Sequence, residues 1–237
     1  MTVLLEYPLR VLTPSNVGVV PLYRNRSPHD ATNGMRRSLG FSGAAFKVVM
    51  DGIRISHDLD KVRTLRALIA NLEGDRNLIR IRIPDLYGLD GPLAMATKAA
   101  RKAWPDGVPF ATDAMYATGV GHAVPTLEVV TVSSVTATEN HIFVASSQEL
   151  PAGVVISIDE FCYMIAGSWL EGGVNRLKLS PGLRLDAPAG TVVSLAPVFV
   201  GVCTTDIPGD GVFRNAKHGT FTLEFEEDLT RLAKDFD

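Results

Sequence analysis

The spacing of apolar and polar residues predicts one amphipathic helix in a chain that is otherwise mostly β. From Leu59 to Leu72, apolar side chains recur at steps of three and four, which is the period of a helix with one buried face. Ser56 or Asp58 is placed to cap its start, and Gly74 follows its end. We expect this helix to cover one face of a sheet.

Strict two-residue alternation predicts strands on both sides of this helix. In residues 77–84, three isoleucines alternate with Arg80 and Arg82, and in 220–227 Phe and Leu alternate with Thr and Glu. Apolar residues in 39–55 predict two strands separated by a turn at Asp51-Gly52.

Near the N-terminus, residues 17–23 predict an edge strand. Pro21 lies within this stretch, and proline is confined to the edges of sheets because it lacks a backbone N–H. An edge strand carries unpaired backbone groups that a second copy can use, so Val17, Val19 and Tyr23 are candidate interface residues. Arg80 and Arg82 are candidates for the same role, as is Trp104, which lies in a long stretch rich in Gly, Pro and Asp.

From Pro125 onward the pattern becomes that of a small β-barrel or sandwich. Short apolar runs are separated by Gly, Pro, Asn or Asp, and Asp159-Glu160 and Gly172-Gly173 are suited to two-residue hairpin turns. The predicted strands are 127–135, 141–146, 154–158, 161–166, 174–179 and 191–202.

These elements predict an α+β, mostly β protein in which a second domain interrupts the first. Residues 1–90 and 203–237 form the outer domain, since the strand at 220–227 completes a sheet that begins before the insert. Residues 125–202 form the inserted barrel, and 91–124 form an extended excursion between them.

Composition and charge exclude several classes of function. The 237 residues carry a formal net charge of −3, which gives no general attraction to nucleic acid or to an anionic membrane. The apolar runs fall short of a membrane span, and residues 1–12 lack the features of a signal peptide. We therefore expect synthesis and assembly in a cytoplasm.

Catalytic and metal-binding motifs are not evident. The five histidines lack zinc-ligand spacing, and the sequence has neither a nucleophile elbow nor a phosphate-binding loop. We expect no cofactor and no metal. We expect Cys162 and Cys203 to be buried small apolar residues, and the sequence leaves a disulfide between them open, because it does not give their distance. Two alternatives stay open: a carbohydrate-binding module with Tyr163 and Trp169 as a glycan platform, and a β-sandwich hydrolase using Asp206, Asp210 and His218.

Several segments together resemble the distal tail proteins of long-tailed bacteriophages. The resemblance covers most of the chain outside 91–124. It rests on the residues PSNVG and the strand after them, the helix segment LRALI, the strand at 79–84, LPAGVVISI at 150–158, LKLSPGLR at 177–184, APAG at 187–190 and GTFTLEFE at 219–226.

This resemblance implies a structural and non-enzymatic role in the virion. It implies an outer domain similar to tail-tube proteins, built as a split β-sandwich or barrel with one covering helix, and an OB-like or galectin-like inserted barrel. Such proteins form a ring at the tail tip or baseplate, commonly a hexamer, which binds the tail tube protein, the hub and a fibre or receptor-binding protein. DNA only passes through the lumen, and no membrane insertion is implied.

Overall fold

The protein consists of two compact units, one of which interrupts the other in sequence. The computed structural model describes residues 3–23, 44–56, 59–83, 128–146, 148–205 and 218–230. The first unit comprises Met1–Arg82 and Phe199–Asp237, and the second comprises Ile83–Val198. The predicted excursion at 91–124 lies outside the described residues.

The described residues form twelve strands and one helix, which confirms the predicted mostly β, α+β class. In chain order the elements are β1 (Leu4–Glu6), β2 (Asn16–Leu22), β3 (Ala45–Ser56), α1 (Leu59–Leu72), β4 (Leu78–Arg82), β5 (Glu128–Thr131), β6 (His141–Ala145), β7 (Val155–Ile158), β8 (Phe161–Glu171), β9 (Val174–Ser180), β10 (Val192–Ser194), β11 (Val198–Cys203) and β12 (His218–Glu227).

A six-stranded sheet with the order β1-β4-β11-β12-β3-β2 forms the first unit. β1 pairs with β4 in parallel, whereas β11, β12, β3 and β2 pair successively in antiparallel fashion. β2 is an edge strand, as Pro21 predicts. The predicted helix matches α1, and its leucines at 65, 68 and 72 are buried in this unit.

The two faces of this sheet differ in chemistry, because the sequence of β3 and β12 alternates. Phe46, Val48 and Met50 on β3 are fully buried, as are Leu223 and Phe225 on β12, so one face forms the core. The other face is polar. There the Lys47 ammonium lies 2.6 Å from the carboxylate of Glu224, which is the diagonal neighbour of Lys47 on the same face, two residues from its directly paired residue Glu226.

The predicted turn at Asp51-Gly52 is wrong, because this dipeptide lies in a β-bulge within one long strand. Between Phe221 and Leu223 of β12 the paired residue on β3 moves from Ile53 to Met50, so β3 contains one extra residue. Gly52 has φ +68°, a backbone conformation that glycine tolerates best. The bulge keeps the apolar face of β3 continuous.

The second unit is a closed six-stranded barrel with the order β10-β5-β6-β9-β8-β7, in which β10 pairs with both β5 and β7. Asp159-Glu160 joins β7 to β8 and Gly172-Gly173 joins β8 to β9, both with positive φ. The two predicted hairpins are therefore confirmed.

The long strand predicted at 191–202 is wrong, because it consists of two strands in different units. β10 ends at Ser194 and belongs to the barrel, whereas β11 begins at Val198 and lies in the six-stranded sheet. Pro197 lies between them and lacks the N–H that a continuous strand would need. The same correction moves the end of the insert from the predicted residue 202 to 198.

Candidate functional site

The register of β2 shows which of its backbone groups point outward. The N–H of Phe46 donates to Glu227 on the β12 side of β3. In an antiparallel ladder the direction alternates along the strand, so Lys47 and Val49 direct their backbone groups toward β2. Their partners on β2 are Val20 and Gly18.

It follows that the residues between these partners present their backbone groups to the open edge. Val17 and Val19 are paired with Met50 and Val48, and their N–H and C=O groups point away from β3. Within the described part of the chain, β3 is the only strand beside β2. Two of the candidate interface residues predicted from the sequence, Val17 and Val19, therefore lie on an open strand edge.

Apolar side chains accompany this edge. Val17 and Val19 are half-buried at the rim of the core, whereas Val20 is 51% and Tyr23 54% exposed. We call the outward backbone groups of β2 together with these side chains the β2 edge. Exposed apolar residues beside unpaired strand groups are typical of a surface that another strand covers.

Two of the three other candidate interface residues, Arg80 and Arg82, lie on β4 and not at the β2 edge. The Arg80 guanidinium lies 3.0 Å from the Glu6 carboxylate, joining β4 to β1 at the opposite side of the sheet. Arg82 is exposed at the end of β4. Trp104 lies outside the described residues.

The predicted glycan platform of Tyr163 and Trp169 is wrong as a pair. Tyr163 is 1% exposed, and its hydroxyl accepts a hydrogen bond of 3.1 Å from the backbone N–H of Arg184. Trp169 is 53% exposed, with the Arg176 guanidinium 5.8 Å from its ring centroid. The bulge between Ile165 and Gly167 shifts the alternation of β8, which places the two aromatic rings on opposite faces.

Sequence reasoning missed the exposed apolar side chains on the outside of the barrel. Val130, Val132 and Phe143 are 43%, 50% and 39% exposed. The continuous apolar run of β5 suggests that all of its side chains are buried. Side chains alternate along a strand, however, so adjacent valines cannot all face the interior. This alternation was the signal from which their exposure could have been predicted.

Among the described residues, neither a cluster of metal ligands nor the predicted set of catalytic residues is found. No cluster of three or more potential ligands among His, Cys, Asp and Glu occurs within them. Asp206 and Asp210 of the predicted hydrolase loop lie outside the described residues, and of His218 only the backbone is described, at the start of β12.

Both cysteines are buried, as the sequence predicts, and they do not form a disulfide with each other. Burial raises the pKa of Cys203, although hydrogen bonds from Thr205 act in the opposite direction. Such a thiol is mostly protonated at neutral pH and is a poor nucleophile.

Two comparisons add no relative to this description: no family model matches the sequence, and neither does any curated protein. In the described part of the chain, no helix combines the length and apolar character needed to cross a bilayer. Any functional assignment therefore depends on the chain itself.

Proposed function

We propose that the protein is a structural subunit of a bacteriophage tail tip or baseplate. Copies of it form a ring, most simply a hexamer, that joins the tail tube to the hub and to host-recognition proteins. The role is non-enzymatic, and its location is the tail tip of a virion assembled in the host cytoplasm. The observation that carries the proposal is the open β2 edge.

An open edge supports ring formation because it offers one half of a head-to-tail contact. Strand addition at the β2 edge would satisfy the outward N–H and C=O groups of Val17 and Val19. A heterologous contact of this kind generates a closed ring when the rotation between copies closes. The exposed Val20 and Tyr23 add apolar area at the same edge.

The division of the chain into two units also agrees with the proposed role. A sheet that ends in the edge strand β2 suits assembly, and the inserted barrel supplies a separate body for contacts with other proteins. The segments that resemble distal tail proteins are distributed over both units. The tube, hub and fibre or receptor-binding proteins are the proposed partners, and DNA passes through the lumen of the ring.

The mass of the purified full chain in solution, alone and with tube and hub proteins, tests this proposal. The ring is expected at several times the 25.5 kDa of one copy. Val17→Lys is expected to abolish it, because a charge on an edge strand opposes strand addition. Val19→Pro removes one outward N–H and is expected to act in the same direction.

A matched control uses exposed Arg54 on β3, away from the β2 edge. Arg54→Glu is expected to leave the ring intact, with circular dichroism establishing that all variants are folded. A wild-type chain that stays a 25.5 kDa monomer even with tube and hub proteins would contradict the proposal.

A further inference from the structure

The six-stranded sheet ends in β1 on the side away from β2, and β1 also directs backbone groups outward. The N–H of Tyr7 donates to the carbonyl of Arg80 at 2.9 Å, and the carbonyl of Val3 accepts a hydrogen bond of 3.0 Å from the first residue of β4. Because the direction alternates along a strand, the N–H and C=O groups of Leu4 and Glu6 point away from β4. Within the described ranges, β4 is the only strand beside β1.

We call these outward backbone groups, together with the side chains of Leu4 and Glu6, the β1 edge. Its length matches that of the β2 edge. Pro8 follows the last outward residue of β1 by two positions, and Pro21 follows Val19 on β2 by two positions. Because proline has no N–H, the row of outward donors stops at the same distance on both edges.

β1 and β2 run in the same direction through the sheet. β1 is parallel to β4. The N–H of Ile83, directly after β4, donates to the carbonyl of Pro197, directly before β11, so these two strands are antiparallel. The pairings of β11 with β12, β12 with β3 and β3 with β2 are antiparallel as well. The reversals cancel in pairs, and β2 has the direction of β1.

A ring whose axis runs along the strands therefore brings these two edges together as a parallel pair. Rotation about such an axis keeps the direction of every strand and carries β2 of one copy to β1 of the next. In a parallel ladder, a residue bonds to both neighbours of the residue opposite it. Opposite Gly18, Leu4 would donate to the carbonyl of Val17 and accept from the N–H of Val19.

The side chains at the two edges suit the same register. The Tyr7 ring centroid lies 6.2 Å from that of Phe225 on the core face of the sheet. Leu4 is three residues before Tyr7, so it lies on the polar face, where it is 43% exposed. Val20 is also exposed, and it lies on the polar face opposite Lys47. The polar face thus has an exposed apolar side chain at each end strand, and the parallel pair would place the two as diagonal neighbours.

We propose that the β1 edge binds the β2 edge of the next copy as a parallel strand pair. This inference rests on the proposed function and deepens it, because it names the surface that receives β2 in the ring. Each copy contributes β1 to one neighbour and β2 to the other. The sheets of successive copies then join into one continuous wall, and the outward groups of both edges are paired.

Separate disruption of the two edges in the full chain tests the proposal, under conditions in which the wild type forms the ring. Leu4→Lys places a charge on the β1 edge, and Val17→Lys places one on the β2 edge. Each variant alone should lose the ring and sediment as a 25.5 kDa monomer. Mixed in equal amounts, one chain supplies an intact β2 edge and the other an intact β1 edge. The mixture should form a 1:1 dimer of twice that mass and no larger species.

Controls separate edge pairing from a loss of folding. The chain with both changes lacks both edges and should pair with neither single variant. Leu4→Val keeps an uncharged side chain and should keep the ring, and circular dichroism establishes that all variants are folded. In excess over wild-type chains, each single variant should lower the yield of rings, because it ends a growing row of copies. The double variant should not.

A Leu4→Lys chain that forms rings as the wild type does would overturn the β1–β2 contact and leave the ring-forming role in place. The same holds for single variants that neither dimerise when mixed nor lower the yield of wild-type rings. Dimers of Leu4→Lys chains alone would show that two β2 edges bind each other instead. A wild-type chain that stays a monomer with tube and hub proteins contradicts the proposed function itself, and the contact with it.

Discussion

The carboxylate of Glu227 accepts a hydrogen bond of 2.9 Å from the backbone N–H of Phe46, and both residues are buried. The last backbone pair of these strands is Glu226 with Lys47. The backbone pairing of β12 with β3 thus ends before Phe46, and the side chain of Glu227 supplies the acceptor for the N–H of Phe46. This bond ties the last residue of β12 to the start of β3.

Glu227→Ala is expected to lower the free energy of unfolding by about 1–3 kcal/mol, because it leaves a buried N–H without its acceptor. Glu227→Gln keeps an oxygen at this position and should lose less. Chemical denaturation measures both, with exposed Arg54→Ala as the control in the same sheet. Equal losses for Ala and Gln would show that the acceptor is not what stabilises the strand end.

Stability should fall at high pH because of Tyr7, whose hydroxyl donates to the carbonyl of Leu12 at 2.8 Å. Burial raises the pKa of Tyr7 above its ordinary value. A tyrosine in an unfolded chain ionises at about pH 10, so above that pH the unfolded chain releases a proton that the folded chain keeps. The stabilisation is complete below this pH and is lost as the pH rises.

Tyr7→Phe should therefore reduce the fall in stability between about pH 9 and 11. At neutral pH it should cost about 1 kcal/mol, because the carbonyl of Leu12 loses its donor. Urea unfolding at several pH values measures both effects. An unchanged pH profile in Tyr7→Phe would assign the alkaline loss to other groups.

Substitution by alanine should destabilise the protein at Gly201 and have little effect at Gly219, although the two glycines lie in adjacent strands. A Cβ at Gly201 on β11 would collide with the backbone oxygen of Glu226 and the ring of Phe199, whereas a Cβ at Gly219 on β12 would meet nothing within 4 Å. Gly201→Ala should destabilise by about 1–3 kcal/mol or more. Gly219→Ala should stay within about 0.5 kcal/mol of the parent. Thermal unfolding compares them, and similar losses would contradict the described packing of β11 on β12.

The turn between β7 and β8 should be improved by residues that favour positive φ. Asp159 and Glu160 have φ of 49° and 63°. Replacing them with Asn-Gly, the preferred pair for this hairpin, should stabilise the barrel by about 0.5–1 kcal/mol. Gly173 has φ +81°, so Gly173→Ala should instead destabilise the barrel. Denaturation of the full chain tests both, and a destabilised Asn-Gly variant would show that the native side chains contribute more than the backbone strain costs.

The sequence predicts those parts of the fold in which a local pattern has one physical solution. The helical period gives α1, the alternation of apolar residues gives β12, and Pro21 gives an edge strand. The two hairpin turns follow from dipeptides that accept positive φ. Each of these features depends on neighbours close in sequence.

The missed features depend on partners distant in sequence. A bulge such as that before Gly167 reverses which face later residues occupy, so the outward direction of Trp169 is not encoded in its own neighbourhood. An apolar run such as 191–202 is compatible with one buried strand or with two, and only the pairing of β10 with β5 and of β11 with β12 decides between them. The same holds for the exposed side chains of Val130, Val132 and Phe143, which come together only after β5 and β6 are aligned.

The second unit runs from Ile83 to Val198, and near its two ends the N–H of Ile83 donates to the carbonyl of Pro197 at 2.9 Å. Entry and exit are thus close enough to be joined by a short peptide. The inserted unit can therefore be removed, or exchanged for another domain whose ends are adjacent, without a change in the strand order of the sheet. Under the proposed function, such an exchange would alter the contacts that the barrel makes and leave the ring-forming sheet unchanged.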